Sequence, residues 1–158
     1  MGSSKQIILF TIGYSKKSAK DFFELLKKNN VRRVVDVRLN NTGIFAGFTK
    51  KDDLEYFLRR LLNIKYLHKP EFAPTKELLK QYRKKIISWD VYSKRYLAIL
   101  KKRNVIKKLN IQEFHLNCFL CSEAQPQKCH RRLLVEYLKT HFRNRNIKII
   151  HLLNSNYK

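Results

Sequence analysis

Most of five short runs along the chain are continuously apolar and rich in β-branched residues: "QIILFTIG" (6–13), "RRVVDVR" (32–38), "IKYLH" (64–68), "FHLNCFLC" (114–121) and "IKIIHLL" (147–153). Continuous rather than alternating apolarity predicts strands covered on both faces, the situation of a parallel sheet. Between these runs the apolar period lengthens to that of a helix. "SAKDFFELLKKNN" (18–30) opens with Ser18 as N-cap and Asp21 three residues on, a carboxylate form of the capping box. "TKKDDLEYFLRRLLN" (49–63) sets Leu54, Phe57, Leu58, Leu61 and Leu62 on one stripe. Further helices are predicted over 75–86 after Pro74, over 90–109 as one long basic helix or a pair, and over 130–142. Strands alternating with helices, two helical segments preceding the fourth strand, define a single α/β domain over 1–158. It has a mainly parallel sheet of about five strands with helices on both faces.

Composition agrees with a packed core: 44% of the 158 residues are hydrophobic and 12% aromatic. No apolar run approaches the roughly 20 residues of a membrane span, and the N-terminal apolar segment is too short for a secretory signal. Three cysteines are too few and odd in number for a disulfide framework. A cytoplasmic protein without membrane association is expected. Residues 1–5 read as a disordered or vector-derived extension. Four glycines and three prolines leave no glycine-rich phosphate loop, and no repeat or linker is visible.

Charge changes the picture most. Thirty-five Lys and Arg against twelve Asp and Glu give +23, which predicts a polyanionic partner, because each neutralised phosphate releases condensed counterions. The segment 76–108 holds twelve basic residues and only Glu77 and Asp90 as acids. Within it Lys80, Arg83, Lys84, Lys94 and Arg95 are candidate phosphate contacts. Trp89 and Tyr92, with Tyr82 and Tyr96, are candidate stacking groups. The plainer alternative is a set of helices with solvated basic faces.

In a parallel α/β sheet ligands bind beyond the carboxyl ends of the strands, and the polar residues there converge in type. The first strand ends on Thr11, Tyr14 and Ser15, the second on Asp36 and Arg38, and the third near His68 and Lys69. The fourth ends on Cys121 and Glu123, and the helix after it opens with Cys129, His130 and Arg131; His151 ends the fifth. Asp36, Glu123, Cys121, Cys129 and His130 are the candidate catalytic groups, and Tyr14, Ser15, Arg38, His68 and Arg131 the candidate substrate contacts. Each has a structural alternative: Asp36 and Arg38 as a buried ion pair, Tyr14 and Ser15 as a turn, His68 and His151 as edge histidines. Cys118, inside an apolar strand, reads as inert core. A thiol at a helix N-terminus is drawn toward thiolate, so Cys129 is expected to be the more anion-stabilised cysteine and Cys121 the more buried. Zinc would need a fourth ligand, and seven residues between Cys121 and Cys129 are not a knuckle spacing. No metal and no cofactor is assigned.

These stretches together resemble the domain-of-unknown-function family numbered 488. "TIGYSKKSAKDFFELLKKNNVRRVVDVR" is similar to its N-terminal signature, and "YLHKPEFAPTKELLKQYRK" with "WDVYSKRYL" to the central segment of one subgroup. "FLCSEAQPQKCHRRLLVEYL" is similar to its C-terminal signature, a strand ending C-x-E before a helix opening C-H-R. The resemblance implies the α/β fold and a clustering of the named residues, and no reaction. The chain departs from the family after D-V-R, reading "LNNTGIFAGF" where many members carry a proline and a serine–arginine pair.

The first functional expectation is an enzyme associated with nucleic acid or nucleotides, DNA or RNA undetermined, hydrolysing a glycosidic or phosphoester bond. A non-catalytic basic binding module is the second. A cysteine-based sulfur-transfer or phosphatase-like enzyme is the third, although a phosphatase loop needs an arginine where Gln127 stands. Oligomeric state is not assigned.

Overall fold

A computed structural model describes residues 5–155; the expected extension at residues 1–5 lies, apart from Lys5, outside the described residues. Five strands form one parallel sheet in the order β3-β2-β4-β1-β5: β1 (Ile7–Gly13), β2 (Arg33–Asp36), β3 (Lys65–His68), β4 (Asn117–Cys121) and β5 (Ile147–Leu152). The helices are α1 (Ala19–Lys28), α2 (Lys51–Phe57, continued by a wider turn to Leu62), α3 (Lys76–Arg83), α4 (Trp89–Lys102) and α5 (His130–His141). No helix among the described residues is long and apolar enough to cross a membrane.

Alternation along each strand feeds two cores. Ile7 and Leu9 of β1, Phe119 and Cys121 of β4, and Val35 of β2 face a layer built by α3, α4 and α5, including Tyr92, Tyr96, Leu100 and Leu134. Phe10, Ile12, Cys118, Leu120 and Val34 face the opposite layer, made with Phe22 and Leu26 of α1 and Leu54 and Leu58 of α2. Both faces of every central strand are therefore apolar, which is why the strands read as continuous runs. Side chains at three helix starts accept backbone N–H bonds: Ser18 from Asp21, Thr75 from Leu78 and Ser88 from Val91. Each satisfies one of the unpartnered donors of a first turn.

Several elements are shorter than the sequence pattern suggests, among them β2 (Arg33–Asp36 against 32–38) and α3 (Lys76–Arg83 against 75–86). The long basic helix expected to 109 ends at Lys102, because Asn104 takes a left-handed φ of 53° and reverses the chain, a conformation that asparagine tolerates well. The strand expected from 114 starts at Asn117. Ile111–Phe114 forms a tight helical turn, and Leu116, at φ 61°, donates its N–H to Ile8 O at 2.8 Å before the strand begins. Leu61, placed on the apolar stripe of α2, is 60% exposed, since the wider turn rotates it off the buried face.

β1 and β4 lie side by side at the centre, with Gly13 level with Cys121. The pairing runs on past the strands through Tyr14 N to Cys121 O (3.3 Å) and Ser15 N to Ser122 O (3.1 Å). A Cβ on Gly13 would collide with the carbonyl of Glu123 and press on Nη1 of Arg131, so glycine is required by this close approach. Gly13→Ala is expected to displace residues 122–124 and to cost about 1–3 kcal/mol. Urea midpoints together with hydrogen exchange at Ser15 and Ser122 measure it, and unchanged exchange at both amides would contradict the tight fit.

Candidate functional site

A cavity of about 350 Å³ opens at the carboxyl edge of the sheet, where the strand order reverses around β4 and β1. Of the residues singled out from sequence, Tyr14, Arg38, Cys121, Glu123, Cys129, His130, Arg83, Trp89 and Tyr92 line it. Asp36, Ser15, His68, Arg131, Lys80, Lys84, Lys94 and Arg95 do not.

Asp36 stands behind the wall, in a buried ion pair with Arg38. Arg38 donates from Nε to Oδ1 at 2.8 Å and from Nη2 to Oδ2 at 2.7 Å, and it also reaches Thr49 O (2.7 Å) and Oγ1 (2.9 Å). Tyr66 OH donates to Oδ2 of Asp36 at 2.6 Å, and burial followed by this bond raises the tyrosine pKa above its ordinary value. Asp36 is 0% exposed and Arg38 2%, so the carboxylate is consumed by the fold and is not presented to a ligand. His68 is likewise structural in its contacts, with Nε2 at 3.1 Å from Arg38 O.

Arg131 is also withdrawn from substrate. It is fully buried and donates to Glu123 O (2.6 Å), Ala124 O (3.4 Å) and Thr11 Oγ1 (3.3 Å). Thr11 Oγ1 in turn lies 2.7 Å from Nδ1 of His151. Among the described residues no carboxylate reaches Arg131 within ion-pair distance.

On the cavity floor the two thiols and the imidazole form one group. Cys121 Sγ lies 3.6 Å from Nδ1 and 3.7 Å from Nε2 of His130. Nε2 is 2.9 Å from Val37 O; a carbonyl only accepts, so Nε2 carries a proton, and in the neutral ring the lone pair sits on Nδ1. The expected order of the thiols is reversed. Hydrogen bonding from Cys129, then the charge of Arg131 and the N–H groups of Ser122 and Glu123, holds the Cys121 pKa below its ordinary value against the opposing effect of burial. Burial, and then the bond it donates to Cys121, pushes Cys129 well above. Cys129 is indeed the N-cap of α5, but its side chain makes no capping bond, so the helix terminus does not hold its sulfur. Both thiols are buried, at 5% and 2% exposure. Cys118 is 0% exposed and its pKa is raised by burial, in keeping with a core residue.

One wall is aromatic. Tyr82, Trp89, Tyr92 and Tyr96 stack in series, with Tyr82–Tyr92 centroids at 4.8 Å, Trp89–Tyr92 at 5.3 Å and Tyr92–Tyr96 at 6.3 Å. The series ends with Tyr96 edge-on to His130 at 5.4 Å. Tyr92 is only 2% exposed and is already stacked by its neighbours, so of the expected stacking groups Trp89, joined by Tyr82, presents the freer surface. Lys80, Lys94 and Arg95 are exposed on α3 and α4, and Lys84 is exposed just after α3. Sequence reasoning passed over the opposite rim, Leu39, Asn40, Gly43, Phe45 and Ala46, and also Lys128. The rim belongs to the segment where the chain departs from its resemblance, and its Phe45 is 90% exposed.

Fold and site together define a parallel α/β domain with a buried thiol–imidazole group at the switch point of its sheet. The family described as "Domain of unknown function DUF488" matches residues 18–138, more than half of the chain, and the chain belongs to it. No curated protein and no solved structure matches.

Two outcomes are expected. Iodoacetamide at neutral pH labels Cys121 before Cys129 and leaves Cys118 untouched. The Cys121 rate falls as pH drops through its lowered pKa and the thiolate is protonated; faster labelling of Cys129 by peptide mapping would reverse the assignment. Asp36→Asn leaves Arg38 as an uncompensated buried charge, and is expected to lower stability by about 3–5 kcal/mol in urea unfolding.

Proposed function

We propose that this chain is a cytoplasmic enzyme that hydrolyses a phosphoester or glycosidic bond in a nucleotide or nucleic acid. The single observation that carries the reading is the composition of one cavity. Its floor is Cys121, Cys129 and His130, its wall is Tyr82 and Trp89, and Arg83, Lys128 and Glu123 also line it. A planar base finds an aromatic surface there, a phosphate finds two cations, and the reacting bond comes to rest over groups able to hold or move a proton. Asp36 drops out of the chemistry, spent on Arg38 and Tyr66. Glu123, exposed at the rim, is the remaining carboxylate for acid–base work. Lys80, Lys84, Lys94 and Arg95 extend a basic face along which a longer strand would lie. Three free cysteines among the described residues suit a reducing compartment.

Binding of an oligonucleotide, followed by fluorescence anisotropy, is expected to weaken about tenfold or more between 50 and 200 mM salt. Glu123→Gln is expected to reduce hydrolysis of the bound nucleic acid or nucleotide by about a hundredfold or more, with affinity nearly unchanged. A flat salt response with no turnover of any nucleotide would overturn the reading. Salt-sensitive binding without turnover would reduce the chain to a basic binding module.

A further inference from the structure

One ligand atom from each of Cys121, Cys129 and His130 lies within 4.8 Å of the other two, and all three residues are buried. Donors around a tetrahedral zinc ion, with sulfur at about 2.3 Å and nitrogen at about 2.0–2.1 Å from the metal, stand about 3.5–3.8 Å from one another. The 3.6 Å between Cys121 Sγ and His130 Nδ1 falls inside that spread. We propose that Cys121, Cys129 and His130 form a binding site for a soft divalent cation, zinc by its chemistry, with a fourth position open to the cavity.

Three features support the site independently of that distance. First, the bond from Nε2 of His130 to Val37 O is the outer contact that metal-bound histidines make, fixing the tautomer and leaving Nδ1 to ligate. The sulfur stands nearly equidistant from both ring nitrogens, so loading requires the ring to turn until the Nδ1 lone pair meets the ion.

Second, two thiolates and an imidazole select zinc over magnesium or calcium, which take oxygen ligands. The donors come from rigid elements, the end of β4 and the start of α5.

Third, the electrostatics leave the fourth position to an anion. Two thiolates balance the charge of the ion, and the nearby buried Arg131 has no carboxylate within ion-pair distance among the described residues. Hydroxide or a substrate oxyanion completes the balance. All three ligands line the cavity, and three protein ligands with an open vertex are the pattern of catalytic rather than structural zinc. An ion held there supplies an activated water, with Glu123 placed at the same cavity.

The inference deepens the proposed function by naming what its centre holds, but uptake is read without any substrate, so either can fail alone. The purified chain, kept under a non-thiol reductant and stripped with EDTA, is titrated with Co²⁺ and then Zn²⁺ against a chromophoric chelator. One ion per chain is expected. Co²⁺ should give intense tetrahedral ligand-field bands and a near-ultraviolet thiolate charge-transfer band, both bleached by Zn²⁺. Cys121→Ser and Cys129→Ser should each weaken uptake at least tenfold, while Cys118→Ala keeps it. The wild-type cobalt spectrum stands as a test even where a variant fails to fold. No uptake by the wild-type chain, weak octahedral bands, or uptake unchanged in Cys121→Ser and Cys129→Ser would overturn the proposal.

Discussion

The guanidinium of Arg131, buried without a carboxylate, holds the functional edge of this molecule together. Its three bonds to Glu123 O, Ala124 O and Thr11 Oγ1 tie the loop after β4 to the interior of β1. Gly13 makes room for that loop by having no side chain. With these in place Cys121 is set level with the end of β1 and Ser122 is bonded to Ser15, and α5 starts where Cys129 and His130 reach back to Cys121. An unpaired buried cation is costly, and a thiolate or another anion nearby offsets the cost. The same charge that closes the loop therefore favours anionic chemistry beside it.

A second buried arginine does a different job. Arg38 is held by four bonds to Asp36 and Thr49 and anchors the segment after β2, which forms the far rim of the cavity. The face of Tyr14 lies 5.4 Å from its guanidinium, so the first and second strand ends are also joined. The cavity thus has two fixed sides and one aromatic side, in which Tyr82, Trp89, Tyr92 and Tyr96 run inward to His130.

Much of this was legible in the sequence, for identifiable reasons. Continuous apolar runs named most of the strands because both faces of the central sheet are covered, and Ser18 announced α1 by its cap. The thiols, the histidine, Tyr14 and Glu123 were found together because in a parallel sheet strand ends share one edge. What the sequence concealed is direction. Period two put Asp36 and Arg38 on one face but could not show that each consumes the other. The position of Cys129 at a helix start could not show that its sulfur turns toward Cys121 instead of the helix N–H groups. Spacing along the chain argued against a metal, whereas proximity across the β4–α5 loop argues for one. The rim at 39–46 stayed hidden because irregular backbone has no period.

If a nucleotide enters this cavity, the chain carries its own reporter. Trp89 is the single tryptophan and it lines the cavity, so its emission reads occupancy without a label. Titrating the protein with nucleoside monophosphates at low salt should change Trp89 fluorescence saturably, with the response weakened in Arg83→Ala. An emission spectrum unmoved by any nucleotide, while an oligonucleotide still binds the protein elsewhere, would contradict nucleotide binding in this cavity.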